Sequence, residues 1–187
     1  CPAGSSIAGE NQAATDIGKC VCQEHAEMNV EMGRCECLPG YGGDASNTAV
    51  GCSPCGQRAY KSERGNSQCT PCPAGSAIHN GITNSTYKDH CVCPFNSRME
   101  TATYNGQVLE RCEGEGGYGG DATSPNVQCT PCKTSTGWKN YNANTPCTQC
   151  PPGSIIDPDV EVAIFETSCL CGLNAELNAD TGRCECS

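Results

Sequence analysis

The sequence predicts a small disulfide-rich β fold, in which tandem cysteine repeats stack as an extended rod with little helix. Three observations support this prediction. Twenty of the 187 residues are cysteine, which exceeds the ~10% that marks a disulfide scaffold. The cysteines recur in the same pattern along the chain, and no long apolar pattern has the ~3.6-residue period of a helix.

Large apolar residues are too scarce for an ordinary core. The chain has one Trp, two Phe and three Met, although a chain of this length normally buries a sizeable core. Cross-links must therefore replace much of the missing burial, and each contributes roughly 2–4 kcal/mol, mostly by restricting the unfolded chain. Disulfides persist in an oxidising compartment, so we expect an extracellular or cell-surface location.

The charge of the chain excludes two classes of partner. The formal net charge is −10 and the isoelectric point is near 4.6, which argues against nucleic acid and anionic membrane surfaces. No apolar run approaches the ~20 residues that span a bilayer, so we expect membrane attachment only through an anchor outside this segment. Because the chain opens on Cys1, we expect a mature segment or part of a longer repeat array.

The repeats are defined by a Cys-Pro-x-Gly-Ser opening. This motif begins at Cys1, Cys72 and Cys150, and a Cys-x-Cys motif follows each opening at the same spacing. The Cys-x-Cys motifs occupy residues 20–22, 91–93 and 169–171. Self-similarity of this kind indicates a repeat architecture, with predicted repeats at 1–71 and 72–149 and a partial repeat at 150–187.

A hairpin signature follows each Cys-x-Cys motif. Residues 26–29 and 33–37 of repeat 1 recur almost unchanged at 175–178 and 182–186, with a polar turn that ends in Gly. Repeat 2 has six more residues here, and they include Asn105-Gly106. Asn-Gly is the pair that a type I′ turn requires, so we predict a longer hairpin in repeat 2.

A Gly-Tyr-Gly-Gly-Asp-Ala motif comes next, at 40–45 and 117–122, before a Cys-x-Pro-Cys and a second Cys-x-x-Cys. The four cysteines from Cys52 to Cys72, and the four from Cys129 to Cys150, are close to a zinc ribbon in spacing. Twelve further cysteines lie outside such pairs, and only a disulfide frame uses all of them. We therefore expect neither a metal nor a cofactor.

No catalytic site is predicted. The Cys-x-Pro-Cys motif recurs from repeat to repeat and lacks the βαβ surroundings of redox enzymes. His25, His79 and His90 are scattered in polar stretches, which is typical of solvated side chains. We expect the chain not to be an enzyme.

Two other groups invite a functional interpretation. Asp157-x-Asp159-x-Glu161 clusters carboxylates as calcium sites do, but it lacks the full loop spacing, so a solvated acidic loop is favoured. Trp138 and Tyr60 occupy similar places after Cys132 and Cys55. They could stack on a sugar, but covering a disulfide is favoured because aromatic residues are otherwise scarce.

These motifs resemble known extracellular modules. Residues 37–45 with 52–55, and residues 181–186, resemble EGF and laminin-type EGF modules, whereas the junction at 69–75 resembles the ephrin-receptor-like cysteine repeats. The overall layout, which covers the whole chain, is similar to the immobilisation (surface) antigens of ciliates. One departure is Gly114, which stands where repeat 1 has Cys37.

The EGF resemblance implies a disulfide pairing. It links Cys37 to Cys52, and the remaining cysteines then close within each repeat, with Cys55 bound to Cys69. For the first four cysteines we favour Cys1–Cys22 with Cys20–Cys35, while Cys1–Cys20 with Cys22–Cys35 stays open, as does a rival pairing of Cys52–Cys69 with Cys55–Cys72. The cysteines predicted to form disulfides are Cys1, Cys20, Cys22, Cys35, Cys37, Cys52, Cys55, Cys69, Cys72, Cys91, Cys93, Cys112, Cys132, Cys147, Cys150, Cys169, Cys171 and Cys184.

Two cysteines are left over in this scheme. Cys129 loses its partner to Gly114, and Cys186 lies at the end of the partial repeat. One hypothesis is a head-to-tail link from Cys186 of one copy to Cys129 of the next, which would propagate as a filament. The alternatives are a free thiol at Cys129 and a partner for Cys186 outside this segment.

The sequence thus favours an extracellular structural protein, a building block of a surface coat or filament, which self-associates. The alternative is a receptor ectodomain or adhesive module that binds a protein or glycan ligand, and an exposed apolar patch would favour it. Asn84-Ser85-Thr86 is the single N-glycosylation sequon, so we expect a glycan on Asn84.

Overall fold

The computed structural model describes residues 1–7, 17–79, 81–124, 128–133 and 135–186, and it confirms a small disulfide-rich β fold. Regular structure within these residues consists of short strands and of 3-10 turns at Ile17–Lys19, Lys88–His90 and Glu166–Ser168. The strands are β1 Ser5–Ile7, β2 Cys20–Cys22, β3 Ala26–Asn29, β4 Arg34–Cys37, β5 Tyr41–Asp44, β6 Gly51–Pro54, β7 Ala59–Tyr60, β8 Thr70–Pro71, β9 Ala77–Ile78, β10 Cys91–Val92, β11 Ser97–Tyr104, β12 Gln107–Gly114, β13 Tyr118–Gly119, β14 Thr130–Pro131, β15 Ser154–Ile156, β16 Cys169–Cys171, β17 Ala175–Asn178 and β18 Arg183–Cys186. None of the described helices is long and apolar enough to cross a membrane.

The described strands form antiparallel two-stranded ladders that repeat along the chain. The opening strand of each repeat pairs with its Cys-x-Cys strand in β1–β2, β9–β10 and β15–β16. The hairpins follow as β3–β4, β11–β12 and β17–β18, and the glycine-rich motif pairs with the next strand in β5–β6 and β13–β14. Ladders this small are marginal on their own in water, so the cross-links between them supply much of the stability.

Nine disulfides join the described cysteines. They are Cys1–Cys20, Cys22–Cys35, Cys37–Cys52, Cys55–Cys69, Cys72–Cys91, Cys93–Cys112, Cys132–Cys147, Cys150–Cys169 and Cys171–Cys184. Every pair closes a loop of moderate length, because the sequence separations range from 13 to 19 residues.

The alternating order Cys1–Cys22 with Cys20–Cys35 is wrong, and a local turn explains why. The Ser5 amide donates to the Pro2 carbonyl at 3.1 Å, and Gly4 has φ +82°, as position i+2 of a type II turn requires. This turn folds Cys1 back along β1, towards the residue opposite Ile7, which is Cys20. Cys22 lies opposite Ser5, at the other end of the ladder, and bonds to Cys35 instead.

The buried interior of the described residues is small and consists largely of cysteine and alanine side chains. One cluster contains Cys35, Cys37 and Ala45 and another contains Cys112, Ala122 and Cys129. A third, around Cys132, Ile156 and Ala163, includes the half-buried Trp138. Trp138 packs against this cluster, and its role as the cover of a disulfide stays a prediction.

An acidic side chain is buried beside one of these clusters. Glu36 is 6% exposed and accepts hydrogen bonds from Asn29 at 2.8 Å and from Arg34 at 3.0 Å. The hydrogen bond from Asn29 is the main cause that lowers the pKa of Glu36, with Arg34 and the charge of Arg64 assisting against the opposing effect of burial. Glu36 is therefore ionised at neutral pH.

The chain divides into two compact units. The first contains Cys1–Cys72 and Ala77–Val92, and the second contains Pro73–Ser76 and Cys93–Ser187. The proposed repeat boundaries at 71/72 and 149/150, and the stacking of repeats, stay predictions.

Candidate protein-binding surface

The long hairpin of repeat 2 is the largest regular feature of the second unit. Strands β11 and β12 pair over eight residues each, from Ser97 opposite Gly114 to Tyr104 opposite Gln107. Asn105 and Gly106 connect them with φ values of 49° and 76°, as both central residues of a type I′ turn require. The longer hairpin predicted for repeat 2 is thus confirmed.

The base of this hairpin is anchored. Cys112 in β12 is bonded to Cys93, and its amide donates to the Ala74 carbonyl at 2.8 Å. Midway along β11, the Glu100 carboxylate accepts a 2.8 Å hydrogen bond from the Asn142 side chain. These contacts hold the lower half of the hairpin in place and leave its tip as the projecting part.

The tip of the hairpin carries exposed aliphatic side chains. Val108 is 66% exposed and Leu109 is 48% exposed, and Asn105, Gly106 and Gln107 beside them are exposed as well. Val108 and Leu109 are consecutive in β12 and therefore lie on opposite faces of the hairpin, so a ligand contacts both side chains only if it surrounds the tip.

A second exposed apolar position occurs in the turn after two of the three Cys-x-Cys motifs, whereas repeat 1 has the exposed Glu24 at this place. Phe95 is 86% exposed and its counterpart Leu173 is 98% exposed. The turn reverses through Asn96 and Asn174, whose φ values are 62° and 59°, and this left-handed conformation suits asparagine. The backbone of this turn therefore exposes the residue before the asparagine, whatever side chain that residue has.

A third exposed pair lies on the ladder β15–β16. Ile155 and Leu170 are directly opposite each other, and they are 54% and 47% exposed. Their neighbour Ile156 faces the interior and is fully buried, which follows from the alternation of side chains along a strand. The central residue of Cys-x-Cys is likewise exposed in the other repeats, at Val21 and Val92.

The described part of the chain offers no metal site. It contains no group of three or more His, Cys, Asp or Glu residues placed to hold a metal. The Ser85 hydroxyl lies 3.0 Å from Nδ1 of His90, but Ser85 is 2% exposed, so a substrate has no access to it. His25 stacks on Tyr41 with ring centroids 4.1 Å apart.

The two leftover cysteines carry free thiols in the structure, in different environments. Cys129 is 2% exposed, whereas Cys186 is exposed. Burial raises the pKa of the Cys129 thiol, with a smaller opposing effect from the charge of Lys139. A bond from another copy to Cys129 would require the second unit to open, so the head-to-tail link stays a prediction that the burial disfavours.

The sequon asparagine has a structural role in the first unit. Asn84 is half-buried, and its Nδ2 donates to the Tyr41 hydroxyl at 2.7 Å. A glycan would be attached through this same nitrogen, so it would alter this contact. Asn80 and Gly81 nearby are residue types that favour an exposed turn, but residue 80 lies outside the described residues. Glycosylation of Asn84 stays a prediction.

Sequence reasoning missed a buried lysine that organises each complete repeat. Lys139 is fully buried, and its ammonium donates to the carbonyls of Tyr118, Ala143 and Gly114 at 2.8, 2.5 and 3.2 Å. Burial lowers the pKa of Lys139, and nearby Cys129, among other groups, opposes the shift. The carbonyl oxygens compensate part of the cost of burying the charge.

The same arrangement occurs in repeat 1, so the sequence contains a repeated pattern that predicts the buried lysine. Lys61 donates to the carbonyls of Tyr41 and Gly65. Asn66 and Asn144 lie five residues after the lysines of repeats 1 and 2. Each asparagine side chain makes hydrogen bonds to backbone groups before the glycine-rich motif and at its last residue. Aligning the repeats would have shown Lys-x4-Asn as a shared motif that no cysteine explains.

The comparisons with known proteins support one of the resemblances. A stretch of 79 residues, 42% of the chain, is 34% identical to mouse ephrin type-B receptor 4. A stretch of 59 residues is 39% identical to human ephrin type-B receptor 6, and one of 75 residues is 32% identical to chicken ephrin type-B receptor 3. No family model matches the chain.

These matches cover a small part of each relative. The aligned stretches span 6–8% of the receptors' length. The chain is therefore a cysteine-rich repeat protein with partial similarity to ephrin receptors. The resemblances to EGF modules and to ciliate antigens stay predictions.

Proposed function

We propose that this chain is an extracellular, receptor-like or adhesive module that binds a protein ligand through the tip of the β11–β12 hairpin. The observation that carries the proposal is the exposure of Val108 and Leu109 near the tip of a hairpin that is anchored at its base by Cys93–Cys112. The similarity to ephrin receptors supports the receptor-like interpretation over that of a surface coat or filament. The disulfide frame supports an extracellular location.

The anchored base makes the hairpin a pre-organised binding element. Ordering a flexible loop on binding costs ~0.5–1.5 kcal/mol per immobilised side chain. Cys112 and the bond between Glu100 and Asn142 hold the hairpin before the ligand arrives, which reduces that cost. Insertions within one repeat of an array often form its binding face, and repeat 2 alone has this insertion.

The chemistry of the surface defines the ligand. Val108 and Leu109 are already partly covered, so burying the rest of each would contribute roughly 1–2 kcal/mol. Because they lie on opposite faces of the hairpin, the ligand needs a groove whose walls form an apolar patch around the tip. The net charge of −10 favours a ligand whose rim around that patch is basic, because complementary potentials increase the association rate. We therefore expect a basic extracellular protein with an exposed apolar groove.

The experiment uses the purified, disulfide-intact chain against a panel of basic extracellular proteins, with affinities measured by surface plasmon resonance. The test variant combines Val108→Ser with Leu109→Ser. The matched control combines Val30→Ser with Met32→Ser, since Val30 and Met32 are 70% and 62% exposed in the short hairpin turn of repeat 1. We expect the test variant to weaken binding at least ~10-fold, about 1.4 kcal/mol, and the control to bind normally.

Two outcomes would contradict the proposal. One is an equal loss of affinity in both double variants. The other is the absence of saturable binding together with concentration-dependent polymers in sedimentation velocity, which would favour the coat or filament.

A further inference from the structure

The second unit contains a cavity of about 530 Å³, which lies apart from the exposed residues of the hairpin tip. Its walls come from the segment after β13, from β14, and from the segment before Cys150. The volume is within the ~300–1,000 Å³ of small-ligand sites.

The cavity forms where a ladder is shorter in repeat 2 than in repeat 1. In repeat 1 the ladder β5–β6 continues to Asp44, which pairs with Gly51. In repeat 2 the ladder β13–β14 ends at Gly119, which pairs with Thr130. Asp121, the counterpart of Asp44, therefore lies beyond the ladder and lines the cavity.

The lining is rich in groups that hydrogen-bond without carrying positive charge. Thr130 and Ser135 contribute hydroxyls, Gln149 contributes an amide and Asp121 contributes the only carboxylate of the described lining. Among the described lining residues there is no Lys, Arg or His, which disfavours phosphate and other anions. The part of the wall that the structure describes also has no aromatic or large aliphatic side chain, which disfavours lipids.

Asp121 is held in position by its neighbour. One carboxylate oxygen accepts hydrogen bonds from the Thr123 amide at 2.9 Å and from the Thr123 hydroxyl at 2.6 Å. The hydroxyl bond is the main cause that lowers the pKa of Asp121, so the carboxylate is ionised at neutral pH. Its other oxygen makes no bond to the described residues and can accept one from a ligand.

A second polar group at the cavity wall lacks a partner. The Thr145 hydroxyl is buried and has no hydrogen-bond partner among the described residues. Leaving such a group unsatisfied costs about 1–3 kcal/mol. Because this oxygen is buried, a ligand in the cavity does not reach it unless the wall rearranges, so the contacts of the site are those of the accessible lining residues.

We infer that this cavity binds a small neutral carbohydrate. Adjacent hydroxyls of a sugar ring donate to the free oxygen of Asp121 and accept from the Gln149 amide and the Ser135 hydroxyl, which suits a ligand that is both donor and acceptor at every position. This site is separate from the hairpin tip and takes a different class of ligand, so its test is independent of the test of the proposed function.

The experiment is saturation-transfer NMR on the disulfide-intact chain with glucose, galactose, mannose and N-acetylglucosamine as probes, and with a sulfated disaccharide as an anionic comparison. The test variants are Asp121→Asn and Gln149→Ala. The matched control is Asp44→Asn, because Asp44 bonds the Ser46 amide at 2.9 Å and the Ser46 hydroxyl at 2.5 Å in the same way but lies in the first unit.

We expect at least one neutral sugar to bind in the millimolar range, and its affinity to fall at least ~10-fold in each test variant and not in the control. Gln149 is exposed, so its substitution leaves the fold intact and keeps the test decisive if Asp121→Asn unfolds the unit. The inference is overturned if no neutral sugar binds, if the sulfated disaccharide alone binds, or if Asp44→Asn weakens binding as much as the test variants do.

Discussion

A tenth disulfide can be introduced into the second unit by the single substitution Gly114→Cys. A Cβ atom at Gly114 would lie 2.9 Å from Sγ of Cys129, which is close to the ~3 Å between Cβ and the partner sulfur that follows from standard disulfide geometry. The position does not have a left-handed φ, so a side chain is tolerated by the backbone. The new pair would have the 15-residue separation that Cys37–Cys52 has in repeat 1.

The expected stabilisation is about 3 kcal/mol, because closing a loop of ~15 residues removes about that much conformational freedom from the unfolded chain. Crowding reduces this gain slightly. The added Cβ would lie 3.2 Å from the Tyr118 carbonyl oxygen and 3.3 Å from that of Ala143, so both must shift by a few tenths of an ångström.

The assay combines guanidinium unfolding with a count of free thiols in the denatured, unreduced protein. The count falls from the two of the native chain to one if the bond forms. Gly114→Ser is the matched control, since it adds a side chain of similar size without a cross-link and should be neutral or destabilising. If the variant keeps the new thiol unpaired, or is no more stable than Gly114→Ser, the inferred proximity of Gly114 to Cys129 is incorrect.

Four further predictions follow from buried or exposed single residues. Native alkylation should label Cys186 and spare Cys129, because only Cys186 is exposed; equal labelling would contradict the buried thiol. Lys139→Met should cost about 2–3 kcal/mol in denaturant unfolding, because buried carbonyls lose a charged donor; unchanged stability would show that the ammonium is dispensable. The folded-state pKa of Glu36 is lowered, so its contribution is complete above its unfolded pKa, ~4.3, and is lost as the pH falls through the folded value. Glu36→Gln should therefore reduce the acid sensitivity of unfolding, and an unchanged pH profile would refute this. Intact mass before and after glycosidase should reveal a glycan on Asn84, and no mass shift would contradict it.

The features that the sequence predicted correctly depend on neighbours in the chain. Asn105-Gly106 forms a turn because its two residues tolerate positive φ, whatever packs around them. The composition also limits the fold class. With few apolar residues and many cysteines, disulfides rather than apolar burial must supply much of the stability. The length of the repeat 2 hairpin follows from the count of residues between Cys93 and Cys112.

The features that needed the tertiary structure depend on residues far apart in the chain. The hydrogen bond from Asn84 to Tyr41 joins residues 43 positions apart, and no local sequence pattern predicts it.

The partner of Cys1 was equally undetermined by the sequence, because Cys20 and Cys22 are two residues apart on one strand and only the turn at Gly4 decides between them. The sequence by itself therefore determined the chemistry of the cross-links and the turns. The tertiary structure decided which sulfur atoms meet, which lysine is buried and where a cavity opens, because these depend on where distant segments of backbone come together.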